Sequence, residues 1–153
     1  MTEAGLDGGS EADRETLLAL HAAYLEANAA FDWRALEGIW SASDRATFFN
    51  LNGHTYVGRD HWIRLWKFYA GKLETGAWTP YDIGGTVGDS LAVIWCHRKT
   101  RLRWVGGDDR PSALHDRDFV SRSTMVFHRE DGAWRAVHVH FSEASADDRP
   151  GGI

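Results

Sequence analysis

Residues 127–142 read FHREDGAWRAVHVHFS. Two stretches rich in Val, Phe, Trp and His flank Asp131-Gly132, a dipeptide whose backbone suits a tight hairpin turn. The pattern makes 117–129 and 133–142 antiparallel strands. Upstream, 78–87 and 90–105 have the same composition, with Gly88-Asp89 at their joint and a polar loop over 106–115. Side chains alternate between the two faces of a strand. If the turn sets His128 opposite Trp134, then Phe119, Ser121, Ser123, Met125 and Phe127 share a face with Val137, Val139 and Phe141. That face is mainly apolar and suits a helix-covered pocket. The other carries Arg122, Thr124, Val126 and His128 beside Trp134, Ala136, His138 and His140, as expected where two sheets meet across a homodimer.

The N-terminal half changes period. Over 13–30, Leu17, Leu20, His21, Tyr24, Leu25 and Asn28 recur at three- and four-residue spacing, one buried helical stripe opened by Asp13 as N-cap. Asp32 caps a short helix over 33–40 whose Leu36, Ile39 and Trp40 face inward. Short strands over 46–51 and 54–57 flank Asn52-Gly53, and Asp60 caps a third helix to about residue 73, with Trp62, Leu65, Trp66 and Tyr69 on one face. Helices followed by long antiparallel strands predict an α+β fold with the helices on one face of a curved sheet and a cavity between them.

Length and composition bound the rest. A chain of 153 residues buries a core without staples, and one domain is expected over 13–143, with disordered tails over 1–12 and 144–153. Eight Trp and seven Phe are more aromatic surface than one small core needs, at roughly 150–250 Å² each, so some is expected to line a cavity or a subunit contact. A net charge of −5 argues against nucleic acid as partner. No apolar run reaches the ~20 residues of a membrane span, and the N-terminus lacks the basic start and apolar stretch of a secretion signal, so a cytoplasmic location is expected. Cys96 is the single cysteine, which excludes an intrachain disulfide and a cysteine zinc cluster; a buried inert thiol is expected. No glycine-rich phosphate loop is present, and Gly84-Gly85 reads as a sheet bend or bulge.

The segments FDWRAL (31–36), VGRDHWIRLW (57–66), VGDSLAVIW (87–95) and the closing hairpin, in this order, resemble the SnoaL-like branch of the nuclear transport factor 2-like superfamily over roughly 14–142. The closing segment is also similar to the association (hub) domain of calcium/calmodulin-dependent protein kinase II. The resemblance implies a cone-shaped fold with a pocket. It does not fix function, because the superfamily serves isomerases, dehydratases, cyclases, binding proteins and assembly domains.

Each site is weighed by its chemistry. Steroid isomerase relatives need a carboxylate base, and the aligned position in ATFFN (46–50) is Asn50, whose amide cannot abstract a proton. Their oxyanion Asp falls among Ser121, Arg122 and Ser123, so that mechanism is rejected; Tyr24, which matches their helix-one tyrosine, is a core aromatic reaching the cavity. The hub family's three pocket arginines fall here on Arg98, Met125 and Phe141. With two of them apolar, a small, largely apolar ligand is expected. Two roles are open to Arg98: a bidentate pair with a ligand carboxylate, or a pair with an internal acid such as Glu37 or Glu26. Tyr24, Trp40, Asn50, Trp66, Arg98, Ser121, Ser123, Met125 and Phe141 are the candidate ligand-binding residues.

If the chain is catalytic, Tyr24, His21, His54 and Asp32 are the candidates, with His21 paired to Asp32 or His54 for cofactor-free isomerisation, dehydration or cyclisation. His138 and His140 point the same way in a strand and, with His97 or His128, suggest a metal; structural roles account for them better, and neither metal nor cofactor is expected. Two functions remain: a homodimeric pocket protein for a small molecule, or a hub-like assembly module.

Overall fold

The computed structural model describes residues 5–111 and 116–152; the end of the expected polar loop lies outside the described residues. The chain runs β1 (Gly5–Gly8), α1 (Glu11–Ala30), a 3₁₀ turn (Trp33–Ala35), α2 (Leu36–Ile39), β2 (Thr47–Phe49), β3 (Thr55–Val57), α3 (Arg59–Tyr69), β4 (Leu73–Thr75), β5 (Thr79–Val87), β6 (Leu91–Trp104), β7 (Arg117–Glu130) and β8 (Ala133–Glu143). The strands form one mixed, mostly antiparallel sheet in the order β1-β5-β6-β7-β8-β2-β3, with β4 paired to β6. The helices cover one face, which makes this an α+β fold. Leu17, Tyr24, Leu36, Trp62 and Trp66 from the helices meet Ile94, Met125, Phe127 and Val139 from the sheet in a single core.

Two caps differ from expectation. The N-cap of α1 is Ser10, whose hydroxyl accepts from the Asp13 N–H at 3.1 Å. This leaves the Asp13 carboxylate free to accept from Trp134 Nε1 at 3.0 Å and Arg129 Nη2 at 2.6 Å. Gly58, with φ 80° and no side-chain cap, precedes α3, so Asp60 sits inside the first turn and supports the helix only through its charge. Asp32 does cap the 3₁₀ turn, accepting from the Arg34 N–H at 3.2 Å.

The closing hairpin corrects the expected register. Asp131 and Gly132 both have positive φ, 51° and 80°, which is the two-residue turn that matches strand twist. It pairs Glu130 with Ala133 and Arg129 with Trp134, so His128 faces Arg135. Trp134 and Ala136 therefore point into the core, 3% and 0% exposed, rather than toward a partner. Between Val126 and Phe127 the register shifts, with Phe127 opposite Ala136 and Val126 opposite His138. The β-bulge absorbs Val137 and restores Val139 and Phe141 to the inner face.

The expected N-terminal tail is also corrected. Gly5–Gly8 pairs in parallel with β5, and Leu6 is buried against Gly85. Glycine is needed there, because a Cβ on Gly85 would strike the Val93 carbonyl and Leu6. The irregularity in β5 falls just before the Gly84-Gly85 pair, between Tyr81 and Gly84, where Asp82 has φ 51°.

On the outer side, Ser41 locks the segment after α2 to β7. Its hydroxyl donates to Glu130 Oε2 at 2.5 Å, the Ala42 N–H donates to Glu130 Oε1 at 3.0 Å, and His128 Nε2 lies 3.0 Å from Oε2. Ser41, then the Ala42 N–H and His128, hold the Glu130 carboxyl down to about 2 from 4.5, against the opposing effect of burial. A carboxylate favoured only in the fold contributes fully above pH 4.5, and that contribution disappears as pH falls toward about 2. Glu130→Gln is expected to lower stability at pH 7 and to flatten its acid dependence across that window. Urea midpoints as a function of pH check it; parallel wild-type and variant curves contradict the latch.

Candidate functional site

The centre of the inner face is cationic. Even-numbered residues of β6 point inward, and among them Arg98 is fully buried. Its Nε donates to Ser121 Oγ on β7 at 3.1 Å. The guanidinium lies between two aromatic faces, 3.8 Å from the Phe141 ring centre and 4.5 Å from that of Trp78. Both terminal nitrogens are buried with no hydrogen-bond partner, and no acid, Glu26 and Glu37 included, pairs with Arg98 among the described residues. Tyr24 Oη, Trp62 Nε1 and Trp78 Nε1 are likewise buried and unpartnered. All of these groups carry N–H or O–H donors. An unsatisfied buried donor costs about 1–3 kcal/mol, more when charged, so the Arg98 fork above all calls for an acceptor that the chain does not supply.

The neighbouring ionisable groups are neutral at pH 7. Burial, and then repulsion from Arg98, lowers His21 to about 4. Burial raises the Cys96 thiol to about 11 although Arg98 pulls it down, and it raises the Tyr24 hydroxyl well above its usual range. Burial also lowers Arg98, to about 10, which leaves it protonated. His21 Nε2 lies 3.7 Å from Cys96 Sγ, so the thiol is a buried neutral partner of a neutral imidazole.

Beside Arg98, a narrow cavity is walled by Phe31, Phe48, Trp66, Leu73, Trp78 and Phe141, with Asn28, Asn50 and Asn52 as its polar groups. Its free volume, about 40 Å³, holds a few waters at ~10–15 Å³ each. Of the expected ligand-binding residues, Asn50, Trp66 and Phe141 line this cavity, and Tyr24, Arg98 and Ser121 form the donor cluster beside it. Ser123 is buried one inward position from Ser121. Trp40 stacks behind Trp62 at 4.6 Å, and Met125 is fully buried in the core.

The catalytic candidates are spread out. His54 is exposed on the hairpin loop, Asp32 is committed to its cap, and no hydrogen bond or ion pair joins His21 to either among the described residues. His138 Nδ1 is 2.7 Å from Thr47 Oγ1, while His97 faces Asp82 and stacks on Tyr81. No group of three His, Cys, Asp or Glu side chains is placed to hold a metal among the described residues. Sequence reasoning passed over Trp78, which both roofs Arg98 and walls the cavity. Its only local signal is an aromatic residue at the entry of a strand.

A family model described as a SnoaL-like domain matches residues 17–146. No curated protein matches. Among solved structures, an NTF2-like superfamily protein from Salmonella enterica is 15% identical, covering 95% of this chain and 100% of its own, with a TM-score of 0.74. A candidate dehydratase of the NTF2-like family from Streptomyces avermitilis is 16% identical, covering 89% and 99%, with a TM-score of 0.71. A candidate calcium/calmodulin-dependent kinase II association domain from Exiguobacterium sibiricum is 10% identical, covering 92% and 100%, with a TM-score of 0.70. At these identities the likeness establishes the cone-shaped fold.

Proposed function

The chain belongs to the SnoaL-like domain family, and from that premise we propose that it binds a small, largely apolar molecule by an acidic oxygen of that molecule. The observation that carries this reading is the pair of buried, unpartnered Arg98 terminal nitrogens, flanked by the Tyr24 and Trp78 donors and aromatic walls. A planar guanidinium with two free nitrogens suits a carboxylate bidentately. Binding is favoured over proton-transfer catalysis because no carboxylate or imidazole stands among the described residues lining the cavity, and His21 is too weak a base at about 4.

Because the narrow cavity has room for only a few waters and Arg98 lies beside it, an aryl acid enters only as the aromatic walls part. The test is a thermal-shift and calorimetric comparison of phenylacetate with phenylacetamide and the methyl ester, which share the apolar body. The acid is expected to stabilise the protein and its neutral analogues to leave it unchanged; a ligand at a hundred times its Kd adds about 2.7 kcal/mol. Equal responses to all three overturn the acidic-oxygen reading.

Pairing of two copies through the outer sheet face is the second part of the proposal. Trp95, Phe49 and Leu91 are 47%, 40% and 54% exposed, and Trp95, Thr124, His140 and Phe49 form one continuous row across four strands. Isolated exposed apolar residues are ordinary, whereas two large aromatics at the ends of one row, bridged by Thr124 and His140 and with Leu91 exposed on the same sheet, suit a subunit contact.

A further inference from the structure

The cavity does not end at its aromatic wall. Asn52, Leu65 and Tyr69 line it and also line a second, outer groove of about 410 Å³ between the β2–β3 hairpin and α3. The partition is a hydrogen-bonded bridge, with Asn52 Nδ2 donating to Tyr69 Oη at 2.8 Å and to Tyr56 Oη at 3.0 Å. The Asn52 carbonyl oxygen is held in turn by the His54 N–H at 3.0 Å. Because both phenolic oxygens act as acceptors toward Asn52, their own protons remain available as donors.

Beyond the bridge the groove is lined by His54, Tyr56, His61 and Arg64, with Phe68 and Pro111 as its apolar members, and no carboxylate lines it among the described residues. Arg64 forms no ion pair among the described residues, although Asp60 lies one turn before it on α3. On a chain with a net charge of −5, this groove sets one cation, Arg64, beside the neutral side chains of His54, Tyr56 and His61. His61 Nδ1 accepts the Val57 N–H at 3.4 Å and leaves Nε2 to face a ligand. The donors come from two sides, the hairpin and the helix. That spread fits the several oxygens of a tetrahedral anion better than the two coplanar oxygens of a carboxylate, for which a single arginine fork suffices.

We propose that this groove is an anion-recognition vestibule for a phosphoryl group, and that the ligand has an acid held at Arg98, an apolar body across the cavity and a phosphate at the mouth. The second half of this statement rests on the small-molecule reading above; the vestibule itself does not. The Asn52 bridge marks the boundary between the ligand's apolar and anionic parts.

The test uses the full chain and three probes: 4-hydroxyphenylacetate, its O-phosphate, and phenyl phosphate. Calorimetry is expected to show the O-phosphate binding at least about tenfold tighter than the parent acid, as two charge-assisted contacts allow. In H54Q/R64Q, two substitutions at exposed positions, that gain is expected to vanish while the parent acid binds as before. Arg98→Met is expected to weaken both acids and to spare phenyl phosphate. A phosphate gain that is absent, or that survives H54Q/R64Q, overturns the vestibule and leaves the cavity reading intact. Failure of both acids alongside phenyl phosphate binding that depends on His54 and Arg64 overturns the cavity reading and supports the vestibule alone.

Discussion

Replacing Arg98 with methionine is expected to make the empty protein more stable while removing its response to acids. In the free chain the guanidinium has one hydrogen bond, to Ser121, and two aromatic faces, worth about 0.5–2 kcal/mol each as cation–π contacts. Against these stands the effective penalty of burying an ion, several kcal/mol, with both terminal nitrogens unpartnered. Methionine has similar length, carries no charge and adapts its shape to the space between Trp78 and Phe141. Exchanging buried ionic groups for apolar ones gains about 1–4 kcal/mol, and the stranded Ser121 hydroxyl places this case toward the lower end. For a chain of this size, a gain of about 1–2 kcal/mol raises Tm by roughly 2–8 °C.

The same substitution removes the bidentate partner of the ligand oxygen. Loss of roughly 2–4 kcal/mol, about 30- to 1,000-fold in Kd, is expected for phenylacetate. A third readout is local: with the repulsion from Arg98 gone, His21 is expected to titrate above its value of about 4, though still below 6.5 because burial is the larger cause. Calorimetry, thermal melts and histidine NMR titration check the three. A variant that melts lower than the wild type, or still distinguishes phenylacetate from its amide, refutes the assignment of Arg98 as a ligand-binding group.

The elements were largely legible because each carries its own period. The stripe of α1 and the alternation of β7 survive packing: Leu17, His21, Tyr24 and Leu25 are buried, with Leu20 and Asn28 half-buried at the edge, and Ser121, Ser123, Met125 and Phe127 are buried on the expected face. What was not legible depended on single backbone events. Nothing in AWRAVHVHFS marks a bulge at Val137, since residues there alternate acceptably in either register; one extra residue reversed the side on which Trp134 lies. Ser10 and β1 lie in a Gly- and Glu-rich stretch with one buried apolar residue, Leu6, too little for a periodic signal. Arg98 was visible as a candidate through the resemblance. Its lack of an acid partner was not, because a partner of a buried charge is chosen by the tertiary structure rather than by spacing.

Trp134→Ala is the decisive test of that corrected hairpin. The indole is 3% exposed, donates to Asp13 on α1 and lies under the Arg129 guanidinium at 4.3 Å, so it joins the last hairpin to the first helix. Truncating a core tryptophan costs about 3–5 kcal/mol, a large fraction of the ~5–15 kcal/mol that holds a domain of this size together. Trp134→Phe keeps most of the packing and loses the hydrogen bond to Asp13, at a cost of about 1–3 kcal/mol. Neither change touches the outer face, so light scattering on the folded protein is expected to give the wild-type mass for both. Trp95→Lys reverses the pattern: at 47% exposure it removes little core packing, but it places a charge in the exposed row and is expected to halve the mass. If Trp134→Ala instead dissociates the protein with little loss of stability, Trp134 belongs to a subunit contact and the observed register is wrong.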